Sequence, residues 1–330
     1  MTVGNPRFSI VLPVYNGERY LQQAIDSVKA QWYEDYEFII WDDGSTDRSS
    51  EIIACNKDQR LRIYSNRTNI GLFGTLNLAI GEAKGEVVKL LSQDDALKPN
   101  CLTAEAKFHQ RYPEAAMVHC LYDVINESGK VLVPACSYQE PPVFSKELAT
   151  QMMFYYGCLP GNISNVSLKR AVFDKVGLFR QDLVIAGDFE MWVRIAAQDL
   201  VGYINQSLLF VRSHPGQLSN RRCAYVIAMQ EEQPLYETLM GRLPAGIRHY
   251  AKWYNVFRRY PMYFHHMVRR LLAGDLENAM RVYRYVSSSP HTLLVALFWL
   301  FTANQNIYRM KPRFVASEEA TLPPALSRQF

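Results

Sequence analysis

Two apolar runs that end in polar residues decide the fold of this chain: Phe8-Ser-Ile-Val-Leu-Pro-Val-Tyr-Asn16 and Tyr36-Glu-Phe-Ile-Ile-Trp-Asp-Asp-Gly-Ser-Thr-Asp47. Each run is short and strongly apolar before its polar end, as expected of a buried β-strand. Between them, apolar residues from Leu21 to Val28 recur at helical spacing. The segment therefore predicts a strand–helix–strand unit.

The same alternation continues outward along the chain. Periodicity predicts a helix over residues 48–54, a strand over 61–64, a helix over 72–83, a strand over 87–91 and a helix after Pro99. Repeated units of this kind form a mostly parallel sheet with helices on both faces. Residues 116–215 are less regular, with short strands and helices that complete the same α/β unit.

Composition and charge divide the chain into two parts. Of its 330 residues, 48% are hydrophobic and 21% are charged, as in an ordinary globular protein with a sizeable core. Residues 1–240 hold 23 Lys and Arg against 28 Asp and Glu, a net charge of −5, whereas residues 241–330 hold 13 against 4, a net charge of +9. From residue 221 the pattern is helical, with helices predicted over 248–260, 262–272, 276–286 and 292–308. The two parts are therefore expected to have different functions.

The basic tail has two open interpretations. Its most apolar segment, residues 292–302, has about half of the ~20 residues that span a bilayer, so it is not predicted to cross one. Arginines lie beside apolar and aromatic residues throughout 248–313, which fits docking on an anionic membrane surface. A helical bundle with a solvated basic face fits equally well.

Two features bear on location. The N-terminus shows no basic segment leading into an apolar stretch, so no signal peptide is predicted. The six cysteines form no C-x-x-C pair, which favours reduced thiols over a disulfide scaffold or a zinc site. We expect a cytoplasmic protein, held peripherally at the inner face of the cell membrane if the tail docks there.

Polar clusters follow three of the predicted strands: Tyr15-Asn16, Asp42-Asp43 and Asp94-Asp95. Ligands of such sheets collect at these strand ends, which indicates a nucleotide site. A nucleoside diphosphate in so acidic a site needs a hard cation, and Mg²⁺ or Mn²⁺ takes one or two carboxylates plus phosphate oxygens and waters. Asp43 would accept a hydrogen bond from a base N–H, such as uracil N3–H or guanine N1–H. Taken singly, each acidic pair is also typical of a turn or a helix cap.

Further motifs extend this set in a fixed order: Asn69-Ile-Gly71, Leu76-Asn77, Ala83-Lys-Gly-Glu86, Gln93-Asp-Asp95, Gly187-Asp-Phe-Glu-Met-Trp-Val-Arg194 and His214-Pro-Gly-Gln-Leu-Ser219. With these motifs and the two opening runs, the chain resembles the family 2 glycosyltransferases, inverting enzymes with the GT-A fold, and in particular bacterial transferases for polysaccharides of the O-antigen type. The resemblance covers about residues 7–220. It implies an α/β GT-A domain over 1–220, with a Rossmann-like, mostly parallel sheet and helices on both faces. Residues 1–115 would form its nucleotide-binding half, residues 116–220 its acceptor-side half, and residues 221–330 a basic helical extension.

The resemblance also assigns donor-side roles by position. Pro13 and Tyr15 would contact the nucleobase and ribose, Asp43 would bind the base, Asp94 would lie near the ribose, and Asp95 would bind Mn²⁺ or Mg²⁺. The metal would stabilise the charge that grows on the departing diphosphate.

Two further residues receive roles with alternatives. Asp188 matches the family's general base, although Asp is also a favoured N-cap and a helix is predicted to follow it. His214 would be a further metal or diphosphate ligand, or a plain loop residue. Trp192 would brace the helix after Asp188, or flank the acceptor.

The chain departs from the family pattern at two places. Many relatives carry Glu directly before the base, whereas this chain has Gly187, so the positioning of the base is open. Relatives often carry Arg or Lys after Asn-x-Gly, where this chain has Leu72-Phe-Gly-Thr75. That leaves the metal and Lys89 to offset the charge of the diphosphate.

The sequence therefore predicts an inverting glycosyltransferase. It would move a sugar from a nucleotide-sugar donor, with a UDP-sugar favoured, to a hydroxyl of a lipid-linked or polysaccharide acceptor. The alternatives are a catalytically silent nucleotide-sugar-binding protein and a nucleotidyltransferase, although no phosphate loop of the G-x-x-x-x-G-K-[ST] type occurs. No nucleic-acid partner is expected, because the basic tail lacks a recognisable reading module.

Overall fold

The computed structural model describes residues 5–137, 140–218, 224–255 and 259–287. In chain order its strands and α-helices are β1 (Phe8–Val14), α1 (Leu21–Lys29), β2 (Tyr36–Asp42), α2 (Ser49–Cys55), β3 (Leu61–Ser65), α3 (Leu72–Glu82), β4 (Val87–Leu90), β5 (Ala96–Leu97), α4 (Cys101–Arg111), β6 (Ala115–Ile125), β7 (Val131–Val133), β8 (Val143–Phe144), α5 (Lys146–Tyr156), β9 (Val166–Lys169), α6 (Ala171–Val176), α7 (Gly187–Gln198), β10 (Leu200–Arg212), α8 (Ala224–Arg242), α9 (Ala245–Tyr254), α10 (Tyr260–Leu272) and α11 (Leu276–Ser287). A short 3₁₀ turn, Ile163–Asn165, precedes β9. The helix predicted over 292–308, with most of the apolar segment and the last arginines of the tail, lies outside the described residues.

The strands form one sheet in the order β3-β2-β1-β4-β9-β6-β10-β5, with β7 beside β6 and β8 beside β10. β1 pairs in parallel with β2 and β4, and β2 with β3, so the parallel arrangement predicted for the first half is confirmed. The second half is mixed: β9 runs antiparallel to both β4 and β6, while β6 and β10 are parallel. The sequence did not predict that the antiparallel strand β9 lies between β4 and β6, because strands of two to four residues carry little periodicity.

Helices cover both faces of the sheet, as predicted. Alternate side chains of β1 point to opposite faces. Ile10 and Leu12 pack in a core with α1 and α4, whereas Val11 packs in a second core with α3, α5 and α7. A parallel sheet buried on both faces explains why its strands read as continuous apolar runs.

The helical tail is confirmed for its described part, although its first helix, α8, was not predicted individually. Leu235 and Leu239 of α8 belong to the same core as α5 and α7, so this helix packs directly on the sheet domain. Val226 and Met229 of α8 pack instead against Val282 and other apolar residues of α10 and α11. The division at residue 220 stays a prediction, and α8 is the element that joins its two sides.

Among the described residues, no helix combines the length and the apolar character that crossing a bilayer requires.

Candidate active site

A side-chain amide joins the loops that follow β1 and β4. The Tyr15 backbone N–H donates to Gln93 Oε1 (2.8 Å), and Gln93 Nε2 donates to the Tyr15 carbonyl (3.1 Å). A Cβ at Gly17 would lie 2.5 Å from Gln93 Oε1, so this contact requires glycine there. The Tyr15 side chain is 40% exposed beside this junction, where a ligand can reach it. Pro13 is buried within β1, opposite Trp41 of β2.

Asp42 and Asp43 stabilise different loops. Asp42 shapes the turn, because its carboxylate accepts hydrogen bonds from Ser45 N–H (3.0 Å) and the Ser50 hydroxyl (2.5 Å). Asp43 is buried and holds the loop before α3: Oδ1 accepts from Asn66 Nδ2 (2.8 Å) and Ile70 N–H (2.9 Å), and Oδ2 from Gly71 N–H (2.9 Å). A carboxylate has about four acceptor positions, so one further donor can be accommodated. The predicted contact between Asp43 and a base stays a prediction.

Asp95 points into the protein. Oδ1 accepts from the backbone N–H of Arg212 (3.0 Å), and Oδ2 accepts from the Ser164 hydroxyl (2.6 Å) and Asn162 Nδ2 (3.0 Å). Burial is the main cause that raises the pKa of Asp95 to about 6. Because both oxygens already face protein donors, the geometry argues against Asp95 as the principal metal ligand and indicates a bracing role.

Asp94 instead faces His214. His214 Nε2 lies 3.3 Å from Asp94 Oδ2, and both side chains are partly exposed. Burial raises the pKa of Asp94, and the neighbouring His214 and Arg212 partly offset that rise. The imidazole also packs against the ring of Tyr20, with 5.0 Å between ring centroids. The structure thus brings together two predicted site residues that lie 120 positions apart in the chain.

This pair fits a divalent cation that shares its ligands with a substrate. It offers one carboxylate and one imidazole, and no group of three or more His, Cys, Asp or Glu side chains able to hold a metal occurs among the described residues. Mg²⁺ and Mn²⁺ are commonly held by one or two protein ligands, with phosphate oxygens and waters completing the shell. The donor set therefore suits an ion that arrives with a diphosphate.

Arg212 organises the same corner, and sequence reasoning missed it. Its Nε donates to the Asp94 carbonyl (3.0 Å), its Nη2 donates to Gln23 Oε1 (2.6 Å), and its guanidinium lies 4.4 Å from the Tyr20 ring centroid. The side chain is buried. The available signal was its place two residues before His214, at the end of a strand.

Asp188 lies in the first turn of α7. Its Oδ1 accepts from the Phe189 backbone N–H (2.6 Å), but the N-cap residue is Ala186 and makes no side-chain cap, so Asp188 is not the N-cap. Burial raises the pKa of Asp188 to about 6, and the negative charge of Glu231 adds to this rise. A carboxylate with such a pKa is ionised at neutral pH and more basic than an ordinary Asp.

Gly187 is explained by packing. A Cβ at this position would lie 2.4 Å from the Phe73 ring, so any side chain here would displace Phe73. Phe73 is the second residue of α3, just after the loop that Asp43 holds, and this contact connects the Asp43 loop to the start of α7. On the other side, burial is the main cause that raises the pKa values of Cys158 and Tyr122; the charge of Asp188 adds to the rise at Cys158, and the charges of Cys158 and Asp95 add to the rise at Tyr122. The predicted acidic residues are thus linked through neighbours at one end of the sheet.

Two expectations are wrong. Lys89 cannot offset a diphosphate, because it is fully buried and its Nζ lies 2.6 Å from Glu105 Oε1 of α4, an ion pair that raises the Lys89 pKa. Trp192 cannot flank an acceptor, because it is fully buried, with its ring edge against Phe179. The alternative role for Trp192, bracing α7, is confirmed.

Comparison with known proteins agrees with the fold. Residues 9–161 match the sequence profile described as Glycosyl transferase family 2. An uncharacterized glycosyltransferase of Rickettsia typhi is 29% identical over 66% of this chain and 67% of its own length.

Two solved structures share the fold. S. aureus TarS 1-349 in complex with UDP-GlcNAc has a TM-score of 0.56 at 17% identity, covering 84% of this chain and 92% of TarS 1-349. Mannosyltransferase PcManGT from Pyrobaculum calidifontis, in complex with GDP-Man and Mn²⁺, has a TM-score of 0.57 at 16% identity, covering 94% and 89%. The GT-A-like fold with a helical extension, predicted from the sequence, is confirmed.

Proposed function

Since this chain is a glycosyltransferase whose residues 9–161 belong to glycosyl transferase family 2, we propose that it transfers a sugar with inversion from a nucleotide-sugar donor to an acceptor hydroxyl, with Asp188 as general base. The observation that carries this proposal is the setting of Asp188. Its carboxylate is partly buried at the start of α7, and burial raises its pKa to about 6. Such a group can take a proton at neutral pH.

In the proposed reaction the acceptor oxygen attacks the anomeric carbon from the face opposite the nucleotide. The new C–O bond forms as the bond between that carbon and the diphosphate oxygen breaks, and the hydroxyl proton passes to the Asp188 carboxylate. This transfer requires the carboxylate within about 2.6–3.2 Å of the acceptor oxygen. Inversion follows because the two bonds lie on opposite sides of the carbon.

On the donor side, Tyr15 and the free acceptor position of Asp43 would bind the nucleoside, with Pro13 at the edge of the base site. The relatives bind UDP-GlcNAc and GDP-Man, and both uracil and guanine present an N–H to a carboxylate. A UDP-sugar remains our preferred donor. We propose that Asp94 and His214 hold Mn²⁺ or Mg²⁺, while Asp95 braces their loop. When bound, the ion would stabilise the charge on the departing diphosphate.

The acceptor is proposed to be lipid-linked or a polysaccharide, and the tail supports a lipid surface. α10 and α11 carry several exposed apolar residues: Met262 40%, Leu271 51%, Leu272 83%, Leu276 67%, Met280 50% and Tyr283 51%. Arg269, Arg281 and Arg284 are exposed on the same two helices. Apolar side chains beside arginines fit the boundary of an anionic bilayer. Other apolar residues of α10 and α11 pack against α8, so a helical bundle is compatible with the proposed docking surface.

We therefore place the enzyme at the inner face of the cell membrane, where it would build a polysaccharide of the O-antigen type. The test measures release of UDP or GDP from UDP-GlcNAc or GDP-mannose, with Mn²⁺ and a bacterial lipid extract. We expect nucleotide release that depends on Mn²⁺ and on the extract. A thermal shift with nucleotide but no release from either donor, or from a wider set of nucleotide sugars, would instead identify a silent binding protein.

A further inference from the structure

The segment that leads into α7 is held by a carboxylate from a distant helix. Three consecutive backbone N–H groups, of Val184, Ile185 and Ala186, donate to the two carboxylate oxygens of Glu231, at 2.8, 2.9 and 2.8 Å. Glu231 lies on α8, 45 residues beyond Ala186. Asp188 follows this segment by two residues.

The first N–H groups of a helix and those just before it lack partners within the helix. A side chain at the N-cap ordinarily satisfies some of them. Ala186 occupies the N-cap here and has no side-chain acceptor, and the Phe73 ring fills the space that a side chain at Gly187 would need. The start of α7 therefore takes its anionic partner from α8.

Glu231 is itself held in place by the packing of α8. Leu235 and Leu239, four and eight residues further on, lie in the core shared with α7, and the Tyr236 ring contacts the Phe189 ring at 5.6 Å between centroids. Because α8 is anchored on both sides of Glu231, by this core and by α10–α11, its carboxylate presents a fixed set of acceptors to the segment before α7.

We propose that Glu231 is a positioning residue for the general base: by holding the N–H groups of residues 184–186, it fixes where the Asp188 carboxylate stands relative to the acceptor hydroxyl. This inference rests on the role proposed above for Asp188. It also assigns part of the catalytic geometry to the helical extension.

Electrostatics gives the inference a second signature. The negative charge of Glu231 contributes to the raised pKa of Asp188. In the part of the chain that the structure describes, the Asp188 carboxylate also interacts electrostatically with Cys158, from the loop after α5, and with Glu232 of α8, whose own charge is partly offset by Arg259. Removing the charge of Glu231 should therefore lower the pKa of the base.

The test compares Glu231→Gln with a matched control, Glu237→Gln, which alters an exposed carboxylate on the same helix. Hydrogen exchange of the amides at 184–186 should be faster in Glu231→Gln and unchanged in the control, because the three N–H groups lose their carboxylate. With the donor that the wild type turns over, kcat should fall about 10–100-fold, as expected when a catalytic group is misplaced, with the donor KM near wild type. The rising limb of the kcat/KM–pH profile should move to lower pH.

Unchanged exchange at 184–186 together with wild-type kcat would overturn the inference. So would a loss of activity with a raised donor KM and no movement of the pH limb, because that pattern indicates a merely structural role. If Glu231→Gln does not fold, Glu231→Asp keeps the charge on a shorter side chain and should give intermediate exchange and kcat. Absence of turnover in the wild type would count against the proposed function alone, since the exchange measurement reports the contact independently.

Discussion

The proposed donor side and the proposed base side of the candidate active site are positioned by different means. On the donor side, Asp43 and Asp94 follow β2 and β4, the two parallel neighbours of β1, whose register pairs Val14 with Asp42 and Val11 with Leu90, so the sheet itself brings the loops together. On the base side, Asp188 stands on a helix whose start is held by Glu231 of α8. Sheet register is set by many backbone bonds, whereas the base depends on helix packing and one carboxylate. The base side should therefore be the more sensitive to changes in the helical tail.

The largest effect is expected from Asp188→Asn. Without a proton acceptor the rate of transfer should fall about 10²–10⁴-fold, the range that general base catalysis contributes. Affinity for UDP or GDP with Mn²⁺ should survive, because the donor side is built separately. Nucleotide release and calorimetric binding measure the two quantities.

Asp182→Asn is the matched control, because Asp182 is an exposed carboxylate six residues before the base. It should leave both quantities at wild-type values. Near-normal turnover in Asp188→Asn would show that Asp188 is not the general base. The contrast between the donor side and the base side would then not hold.

A second prediction separates the adjacent aspartates of the donor side. Asp94→Ala or His214→Ala should raise the Mn²⁺ concentration that gives half-maximal activity by about 10–100-fold or more, because each removes a proposed ligand. Asp95→Ala should instead lower the free energy of unfolding by about 1–3 kcal/mol, because buried donors lose their acceptor. Metal titration and urea unfolding distinguish the two. If Asp95→Ala moved the metal requirement and Asp94→Ala did not, the assignment to Asp95 made from the sequence would be restored.

A third prediction concerns the surface of α10–α11. Leu272→Ser and Leu276→Ser should each weaken binding to vesicles of phosphatidylglycerol and phosphatidylcholine about tenfold, since burying a leucine side chain contributes roughly 1.5–3 kcal/mol. Leu132→Ser, at an apolar side chain 54% exposed on β7, is the control and should bind as the wild type does. Equal binding of all three variants in a sedimentation assay would leave this surface as an ordinary face of the helical bundle.

The sequence predicted the donor side better than the base side for a physical reason. Strand–helix alternation and polar strand ends are local patterns, so β1 to β4 and the places of Asp43 and Asp94 followed from them. The direction of a side chain depends on distant partners: Asp95 is turned inward by residues 162, 164 and 212. The burial of Lys89 likewise depends on a distant partner, because its ammonium group pairs with Glu105 of α4. The contact of Glu231 with the start of α7 has no local pattern at all.

The smallest expected effect sharpens the comparison through stability. The pKa of Asp188, about 6 in the folded protein, exceeds its ordinary value of 3.8, so the folded state binds more protons than the unfolded state between these pH values. The contribution of Asp188 to stability therefore falls as pH rises from about 4 to about 6 and stays low above that. Asp188→Asn should remove this penalty and raise Tm at pH 7 by about 2–4 °C for each kcal/mol gained, with no gain near pH 4.

Asp95→Ala should give no such gain in Tm, although the pKa of Asp95 is also about 6. The Asp95 carboxylate accepts from three protein donors, which the shorter side chain would leave unsatisfied. Calorimetric melting of Asp188→Asn, Asp95→Ala and the wild type at pH 4 and 7 measures this difference. An equal Tm for the wild type and Asp188→Asn at pH 7 would mean that the ionised Asp188 carboxylate does not destabilise the folded protein. The two sides of the site would then not differ in this respect.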